Sequence, residues 1–203
     1  MFEILGKIPN NVNIALSGGV DSMVALDFIR KGKRNITALY FDHGTEHGKN
    51  SAVFLRDWCE RNSVNLKIGK IDSDIPAGVS KEAFWREQRY NWLESVSDAP
   101  VITAHHLDDV IETWIFSSLH GNPKLIKSSR GIFIRPFLLC DKQTILSWAE
   151  RKKIEWIDDP SNVDTKFMRN LIRHNIVPEA LKVNPGLPKT LRKKIISAFK
   201  EME

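Results

Sequence analysis

The chain has 203 residues, 42% of them hydrophobic and 27% charged, which is typical of a globular protein with a substantial core. No run approaches about 18 apolar residues, and the first residues carry neither a basic start nor a long apolar stretch, so we expect no membrane span and no secretory signal. Cys59 and Cys140 are far apart and form no CxxC pair. This argues against a disulfide framework or a zinc site and favours a reducing cytoplasm.

The formal net charge of +5 is concentrated near the C-terminus. Residues 164–203 hold nine Lys or Arg and four Asp or Glu, whereas the preceding residues carry equal numbers of each sign. Such asymmetry suits an anionic partner such as RNA. A solvated helical face would give the same count, so charge alone leaves both interpretations open.

Hydrophobic periodicity predicts strands that alternate with helices. In chain order we expect a strand at 12–16, a helix at 21–30, a strand at 36–41, a helix at 51–62, a strand at 65–71, a helix at 81–96, a strand at 101–104, a helix at 108–119, a strand at 131–136, and helices at 141–151, 167–181 and 189–200. Asp141 is the expected N-cap of its helix. This alternation predicts an α/β fold with a Rossmann-like, mostly parallel sheet, helices on both faces and a short helical C-terminal appendage.

Three polar clusters directly follow predicted strands, at residues 17–22, 42–48 and 105–112. Ligands of parallel α/β sheets bind beyond the carboxyl ends of the strands. We therefore expect the three clusters to meet at one edge of the sheet and to form the functional site.

The cluster SGGVDS at 17–22 has the features of a phosphate-binding turn. Its glycines let amide groups point inward, and the positive end of the following helix favours an anion there. Asp21 cannot hold a phosphate, but it can hold a magnesium ion that does. The loop contains no lysine, so metal and amides would neutralise the charge, which suits a released pyrophosphate. A merely tight strand-to-helix connection is the alternative. The nucleotide-binding residues predicted here are Ser17, Gly18, Gly19, Asp21 and Ser22.

This loop resembles the signature of the N-type ATP pyrophosphatases, or PP-loop enzymes, which split ATP between the α- and β-phosphates and adenylate a substrate oxygen. Two later stretches resemble tRNA-modifying members. AHHLDDVIETWIFSSLHG is similar to their AHHxDDxxET element, and DPSNVDTKFMRNLIRHNIVP to the DPSNxDxxxxRNxIRHxxxP segment of tRNA(Ile)-lysidine synthetases. FDHGTEHG and REQRY resemble that family's second and third motifs. The likeness runs from residue 14 to about residue 185.

The resemblance implies that free L-lysine is joined, with ATP and Mg²⁺, to C2 of the wobble cytidine in an isoleucine tRNA with a CAU anticodon. Asp109 and Glu112, three residues apart on one predicted helix, would receive the cationic lysine. Asp108 would serve the metal, together with Asp21, or position the amine. The alternative for this acidic turn is stabilisation of a helix N-terminus.

Further residues fall into three groups. Asp42, His43 and His105 are expected at the nucleotide, although the pair His105 and His106 would also fit satisfied histidines at a strand end. Zinc ligation by the histidines is a remote alternative, since no cysteine supports it. Arginines can clamp phosphates bidentately. For Arg169 and Arg173, which are four residues apart, the alternative is capping and packing of the 158–162 turn. The catalytic arginines are Arg86 and Arg169, and the RNA contacts are Arg89, Arg173, Lys189, Arg192, Lys193 and Lys194.

The likeness has two departures. Family members continue into a C-terminal tRNA-binding region, whereas this chain reads as a short form with a PP-loop catalytic domain at 1–155 and a basic helical segment at 156–203. The glycine- and leucine-rich loop after the AHHxDD helix is replaced by HGNPKLIKSSRG. We therefore expect tRNA to be bound differently. The substrate would be a smaller or different tRNA, or a homodimer or a partner chain would supply further contacts.

Other functions remain open at this point. A PP-loop enzyme could adenylate a different tRNA or use another amine. A tRNA thiolase would normally carry cysteines near the loop or in CxxC pairs, and a GMP or NAD synthetase would lack the DPSN segment. An inactive RNA-binding homologue could lose Asp21, Asp109 or Glu112, and all three are present.

Overall fold

The computed structural model of the chain describes residues 2–201. The strands are β1 (Asn11–Leu16), β2 (Asn35–Asp42), β3 (Asn65–Lys70), β4 (Val101–Ile102), β5 (Ser129–Arg130) and β6 (Phe133–Ile134). The helices are α1 (Val20–Lys31), α2 (Glu46–Arg61), α3 (Lys81–Val96), α4 (Leu107–Leu119), α5 (Lys142–Lys152), α6 (Met168–Leu171), α7 (Val177–Val183) and α8 (Leu187–Lys200). A 3₁₀ turn spans Pro160–Val163, and a π-helical turn, Ile172–Ile176, joins α6 to α7.

One sheet runs in the order β3-β2-β1-β4-β6-β5. All neighbouring strands are parallel except β5 and β6, which form an antiparallel pair at the edge. The mostly parallel α/β fold is therefore confirmed. The strand expected at 131–136 is present but shorter, as β6, because the chain reverses direction at Gly131, where φ is +55° and a side chain would be strained. The short strand β5 before that turn was not predicted.

The two faces of the sheet pack against different helices, as predicted. Ala38 and Tyr40 of β2 face one core cluster with α1, α2 and α5, whereas Leu39 between them faces α3. Side chains of a strand alternate between faces, so one eight-residue strand supports both layers. This sandwich fixes the carboxyl ends of β1, β2 and β4 relative to one another.

Two predicted helices differ from the prediction by more than two residues. α2 begins at Glu46 rather than 51, because the Thr45 hydroxyl accepts a hydrogen bond from the Gly48 amide at 2.9 Å and caps the helix early. The helix expected at 167–181 is interrupted by the π turn. Pro178 lacks the amide that would continue the regular ladder, and this accounts for the widened turn before it.

The C-terminal helices pack on α4. Leu191 and Ile195 of α8 are 0% and 3% exposed and lie against Leu107, Val110 and Ile111 in one apolar cluster. Helix α4 is thereby held between the body of the protein and its last helices. Within residues 2–201, no helix is long and apolar enough to cross a membrane.

Candidate active site

The glycine turn after β1 is closed by its own serines. The Ser22 hydroxyl donates to the Gly19 carbonyl at 2.9 Å and accepts from the Ser17 amide at 3.2 Å, while the two hydroxyls lie 3.3 Å apart. Gly18 has φ of +85°, and a Cβ there would come within 2.9 Å of the Ile157 side chain. Both the backbone conformation and the lack of space therefore require glycine.

Residues after α5 return to cover this turn. The Ile157 amide donates to the Gly18 carbonyl at 3.0 Å, and the Ile157 side chain packs on Gly18. No pattern in the sequence predicts this contact. The turn is thus shaped both by its own hydroxyls and by the segment that leads into the DPSN turn.

Asp21, at the start of α1, is paired with a lysine from α5. Lys142 donates its ammonium to Asp21, with 2.5 Å between Nζ and Oδ1. Burial alone would raise the pKa of Asp21, but His106 and Lys142 outweigh it and lower that pKa to about 2. Asp21 is therefore a carboxylate throughout the neutral range, and the expectation that metal and amides alone neutralise this loop is incomplete.

His106 joins the turn to the acidic end of α4. Its Nε2 lies 3.6 Å from Asp21 Oδ2 and 3.6 Å from Asp109 Oδ2, and the residue is 4% exposed. Asp109 also accepts the His106 amide at 2.8 Å and so caps the helix. The expectations for the histidine doublet were a nucleotide contact or a satisfied ring at a strand end, and neither included the position between two carboxylates that His106 occupies.

The acidic pair expected to receive a cation already holds one. Arg173 forms a bidentate salt bridge with the buried Glu112, donating from Nε to Oε1 at 2.6 Å and from Nη2 to Oε2 at 3.0 Å. Its Nη2 also lies 3.6 Å from Asp109 Oδ1. Burial raises the pKa of Glu112, and Arg173 counteracts that shift. Arg173 was expected at RNA, but its guanidinium is directed into this acidic pair.

Six groups thus run across the site, and their formal charges alternate in sign when His106 is protonated; we call them the ion-pair chain. In order they are Lys142, Asp21, His106, Asp109, Arg173 and Glu112. The ion-pair chain connects the glycine turn with the acidic pair and with the C-terminal helices. It makes one continuous polar site from the clusters after β1 and β4.

We expect the histidines of the site to titrate at well separated pH values. Asp109 and Asp21 raise the pKa of His106 despite its burial, whereas burial lowers the pKa of both His43 and His105 to about 4. At about pH 6, His106 should be charged and the other two neutral. NMR titration of the ring signals would measure this, and Asp21→Asn should lower the pKa of His106. A His106 ring that is neutral at that pH would contradict the ion-pair chain.

A cleft of about 200 Å³ opens beside the turn. Its lining includes Ser17, Asp21 and Ser22 from the turn, His105 and Asp109 after β4, and Arg89 and Tyr90 from α3. The clusters after β1 and β4 therefore do meet at one edge of the sheet, as predicted. At this volume the cleft is smaller than the roughly 300–1,000 Å³ usual for a ligand pocket, and its relevance rests on the polar residues that line it.

Arginines surround the Tyr90 ring on the wall of this cleft. Arg86, Arg89 and Arg130 have their guanidinium carbons 4.8, 5.5 and 5.0 Å from the ring centroid. Burial opposes ionisation of Tyr90, but the neighbouring arginines lower its pKa overall. These guanidiniums place positive charge at and beside the cleft wall, which suits a phosphate. Arg130 was not anticipated, because its strand is placed beside α3 only by the edge hairpin.

The other residues expected at the nucleotide have local partners. Asp42 accepts the Gly44 amide at 2.8 Å and so shapes the turn after β2. His43 stacks on Trp85 with 5.0 Å between centroids, and His105 is 2.9 Å from the Thr103 hydroxyl. Only His105 of these three lines the cleft. The second cluster thus lies next to the cleft rather than in its wall.

Asp108 and Asp21 differ in how well each is placed to ligate a metal ion. Both oxygens of Asp108 lie near the Lys142 amide, at 3.2 and 3.3 Å, where they tie α5 to α4. Asp21 is ionised and lines the cleft, so it fits magnesium, which commonly takes one or two carboxylates together with phosphate oxygens. Residues 2–201 contain no cluster of three or more His, Cys, Asp or Glu able to hold a metal by themselves.

Arg169 lies outside the cleft lining. Its Nε is 3.5 Å from Glu82 Oε1, and both side chains are exposed. Packing of the DPSN turn is done by its neighbours: Asn170 donates to the carbonyls of Ser161 and Asp164 at 2.8 and 2.9 Å, and His174 contacts the Asn162 carbonyl at 2.9 Å. Packing of the DPSN turn, which was the structural alternative for Arg169 and Arg173, is thus performed by Asn170 and His174.

The basic residues of α8 differ in availability. Arg192 is tied to Glu3 at 2.6 Å and lies 3.7 Å from Asp141, and Lys194 stands over the Trp114 ring at 5.6 Å. Lys189 and Lys193 are exposed, one helical turn apart, and form no ion pair within the part of the chain that the structure describes. Together with Lys200 at the end of the helix, they are exposed cations of α8 that have no ion pair within the described residues.

A parallel sheet with a glycine turn after its first strand, a helix starting at that turn and a cationic cleft beside it define an α/β protein of the phosphate-binding class. The chain belongs to the family of the PP-loop domain, which matches residues 3–180. Members of this family bind ATP, and the ionised Asp21 and the serine hydroxyls lie at the matching loop.

Named relatives share most of this chain. It is 33% identical over 193 residues to a tRNA(Ile)-lysidine synthase of Thermotoga sp. (strain RQ2), covering 86% of this chain and 46% of the relative. It is 34% identical over 181 residues to a tRNA(Ile)-lysidine synthase of Methylococcus capsulatus, covering 82% and 41%. The chain thus spans less than half the length of these two relatives. A solved NH3-dependent NAD synthetase from Campylobacter jejuni has a TM-score of 0.50 at 19% identity, covers 96% of this chain and 84% of that one, and supports the fold alone.

Proposed function

We propose that the protein is an ATP-dependent tRNA-modifying ligase that joins free L-lysine to C2 of the wobble cytidine in a CAU-anticodon isoleucine tRNA. The reaction passes through an adenylated cytidine and releases pyrophosphate and AMP. One observation carries the proposal: a single histidine, His106, lies 3.6 Å from both the carboxylate of the PP-loop and the carboxylate of the acidic pair. A nucleotide site and a cation site that share one residue suit a reaction in which an adenylated base meets an amine.

In the first step, the cytidine O2 attacks the α-phosphorus of ATP. The new O2–P bond replaces the bond between the α-phosphorus and the bridging oxygen, and pyrophosphate departs. The amides and hydroxyls of the glycine turn would hold that leaving group at the start of α1. Arg89 on the cleft wall would stabilise charge at the reacting phosphate.

In the second step, the lysine ε-amine attacks C2 and AMP leaves with the former O2. Asp109 and Glu112 would hold the ammonium near C2, and the amine must lose a proton before it attacks. Burial raises the pKa of Glu112, which makes it a stronger base than an ordinary glutamate. The Arg173 guanidinium would have to share or leave this carboxylate when lysine binds.

Magnesium, which would be held by Asp21, would neutralise phosphate charge in the first step. Lys189 and Lys193 would contact RNA phosphates from the exposed side of α8, through sequence-independent attraction. Arg169 stays a proposed contact to the adenylate or RNA from the rim. The cytoplasm is the proposed setting, and a second copy or a partner chain would extend the hold on tRNA.

The direct test is incubation with ATP, Mg²⁺, labelled lysine and CAU-anticodon isoleucine tRNA. We expect label in RNA, with one AMP and one pyrophosphate formed for each lysine joined. A tRNA with cytidine changed to uridine at the wobble position is the matched control. AMP formation on a different tRNA, or with ornithine or another amine preferred, would refute the substrate assignment and leave the ATP chemistry in place.

A further inference from the structure

Lys142 reaches the PP-loop from a part of the chain that neither the loop motif nor the acidic element contains. It is the first residue of α5, and its ammonium is 2.5 Å from Asp21 Oδ1. A lysine is thereby present at a loop whose own sequence has none.

The base of this side chain is held firmly. The Lys142 amide lies 3.2 and 3.3 Å from the Asp108 oxygens, and Asp141 caps α5 by accepting the Thr144 amide at 2.7 Å. The side chain itself is 37% exposed. A fixed backbone under a long, solvent-accessible stem lets the ammonium exchange partners without moving α5.

Stability of the fold gives little reason for a cation at this position. A positive charge in the first turn of a helix opposes the helix macrodipole. An ion pair with both side chains about one-third exposed adds only modestly to folding, and Asp21 already has His106 on its other oxygen. The position is instead suited to an anion that binds at the start of α1.

We propose that Lys142 is a phosphate-binding residue of the nucleotide site, whose ammonium passes from Asp21 to the β- and γ-phosphates when ATP occupies the cleft. The departing pyrophosphate would then meet a point charge as well as backbone amides, and Asp21 would become free to take magnesium. The inference rests on the ATP binding of the proposed function, but not on the identity of the tRNA or the amine.

Equilibrium binding, measured calorimetrically with ATP, pyrophosphate and AMP in turn, tests this role without catalysis. Lys142→Met should weaken pyrophosphate and ATP by about tenfold or more, the loss expected for a charge-assisted hydrogen bond, and leave AMP affinity unchanged. Lys142→Arg should recover part of the loss. Lys152→Met on the same helix removes an equal charge away from the loop and should change none of the three affinities.

A counter-ion role confined to Asp21 predicts a different pattern. With Lys142 removed, Asp21 would keep only His106 as a partner and would repel AMP as well as pyrophosphate, so a loss of AMP affinity in Lys142→Met would overturn the proposal. Unchanged pyrophosphate affinity in folded Lys142→Met, checked by circular dichroism, would also overturn it. If the unaltered protein bound neither ATP nor pyrophosphate, the proposed function would fail together with this role, whereas failure of lysine transfer alone would leave it intact.

Discussion

Asp21→Asn should lower ATP-dependent pyrophosphate release by about a thousandfold or more, since charge stabilisation at a transferring phosphate is among the largest contributions to such rates. The pKa of Asp21 is lowered to about 2, so the wild-type carboxylate is charged at every pH at which the protein would be assayed. The substitution keeps the shape of the side chain and removes only its charge. We therefore expect the loss to be independent of pH in the neutral range.

A coupled pyrophosphate assay with tRNA and lysine present would measure this effect. Asp57→Asn is the matched control, because Asp57 is an exposed aspartate that pairs with Arg61 on α2, away from the cleft. Release at the wild-type rate in Asp21→Asn would remove the glycine turn from the mechanism.

Glu112→Gln should raise the lysine KM by about 10- to 100-fold, which corresponds to the loss of a hydrogen bond between charged groups. Glu112 is 6% exposed, and burial makes its charge especially valuable to a bound ammonium. ATP affinity should change little, since Glu112 does not line the cleft beside the turn. The variant should remain folded, because Arg173 is 40% exposed and water can solvate its charge.

Initial rates over a range of lysine concentrations, with tRNA and ATP held saturating, separate KM from kcat. Glu179→Gln, an exposed glutamate paired with Lys182, removes the same charge away from the site and should behave as wild type. A wild-type lysine KM in Glu112→Gln would show that the acidic pair does not receive the amine.

The sequence predicted what depends on local periodicity. The Rossmann-like sheet and α3 follow from apolar spacing within single elements, and α3 has the predicted bounds. The meeting of residues 17–22 with residues 105–112 follows from strand polarity alone, because the carboxyl ends of parallel strands share an edge.

The sequence did not predict the ion pairs between side chains that are far apart along the chain. Lys142 and Asp21 are 121 residues apart, Arg173 and Glu112 are 61 apart, and Arg192 and Glu3 are 189 apart. A charged residue looks the same in sequence whether it faces solvent or a carboxylate. The three pairs arise only when α5 and the C-terminal helices settle on the sheet and α4. The position of Lys142 directly after the Asp141 cap, at the same edge as the other clusters, was the one available signal.

The stretch that carries Arg173 also carries Asn170, which holds the DPSN turn through two carbonyls. One short helical segment thus contacts both the acidic pair and an exposed turn. A movement of this segment that shifts both Arg173 relative to Glu112 and Asn170 relative to the turn would couple the two sites, and linkage makes such a coupling reciprocal. A nucleic acid that binds the turn would then change the affinity of the site for the amine. The amine would change the affinity for the nucleic acid by the same factor, although the two ligands need never touch.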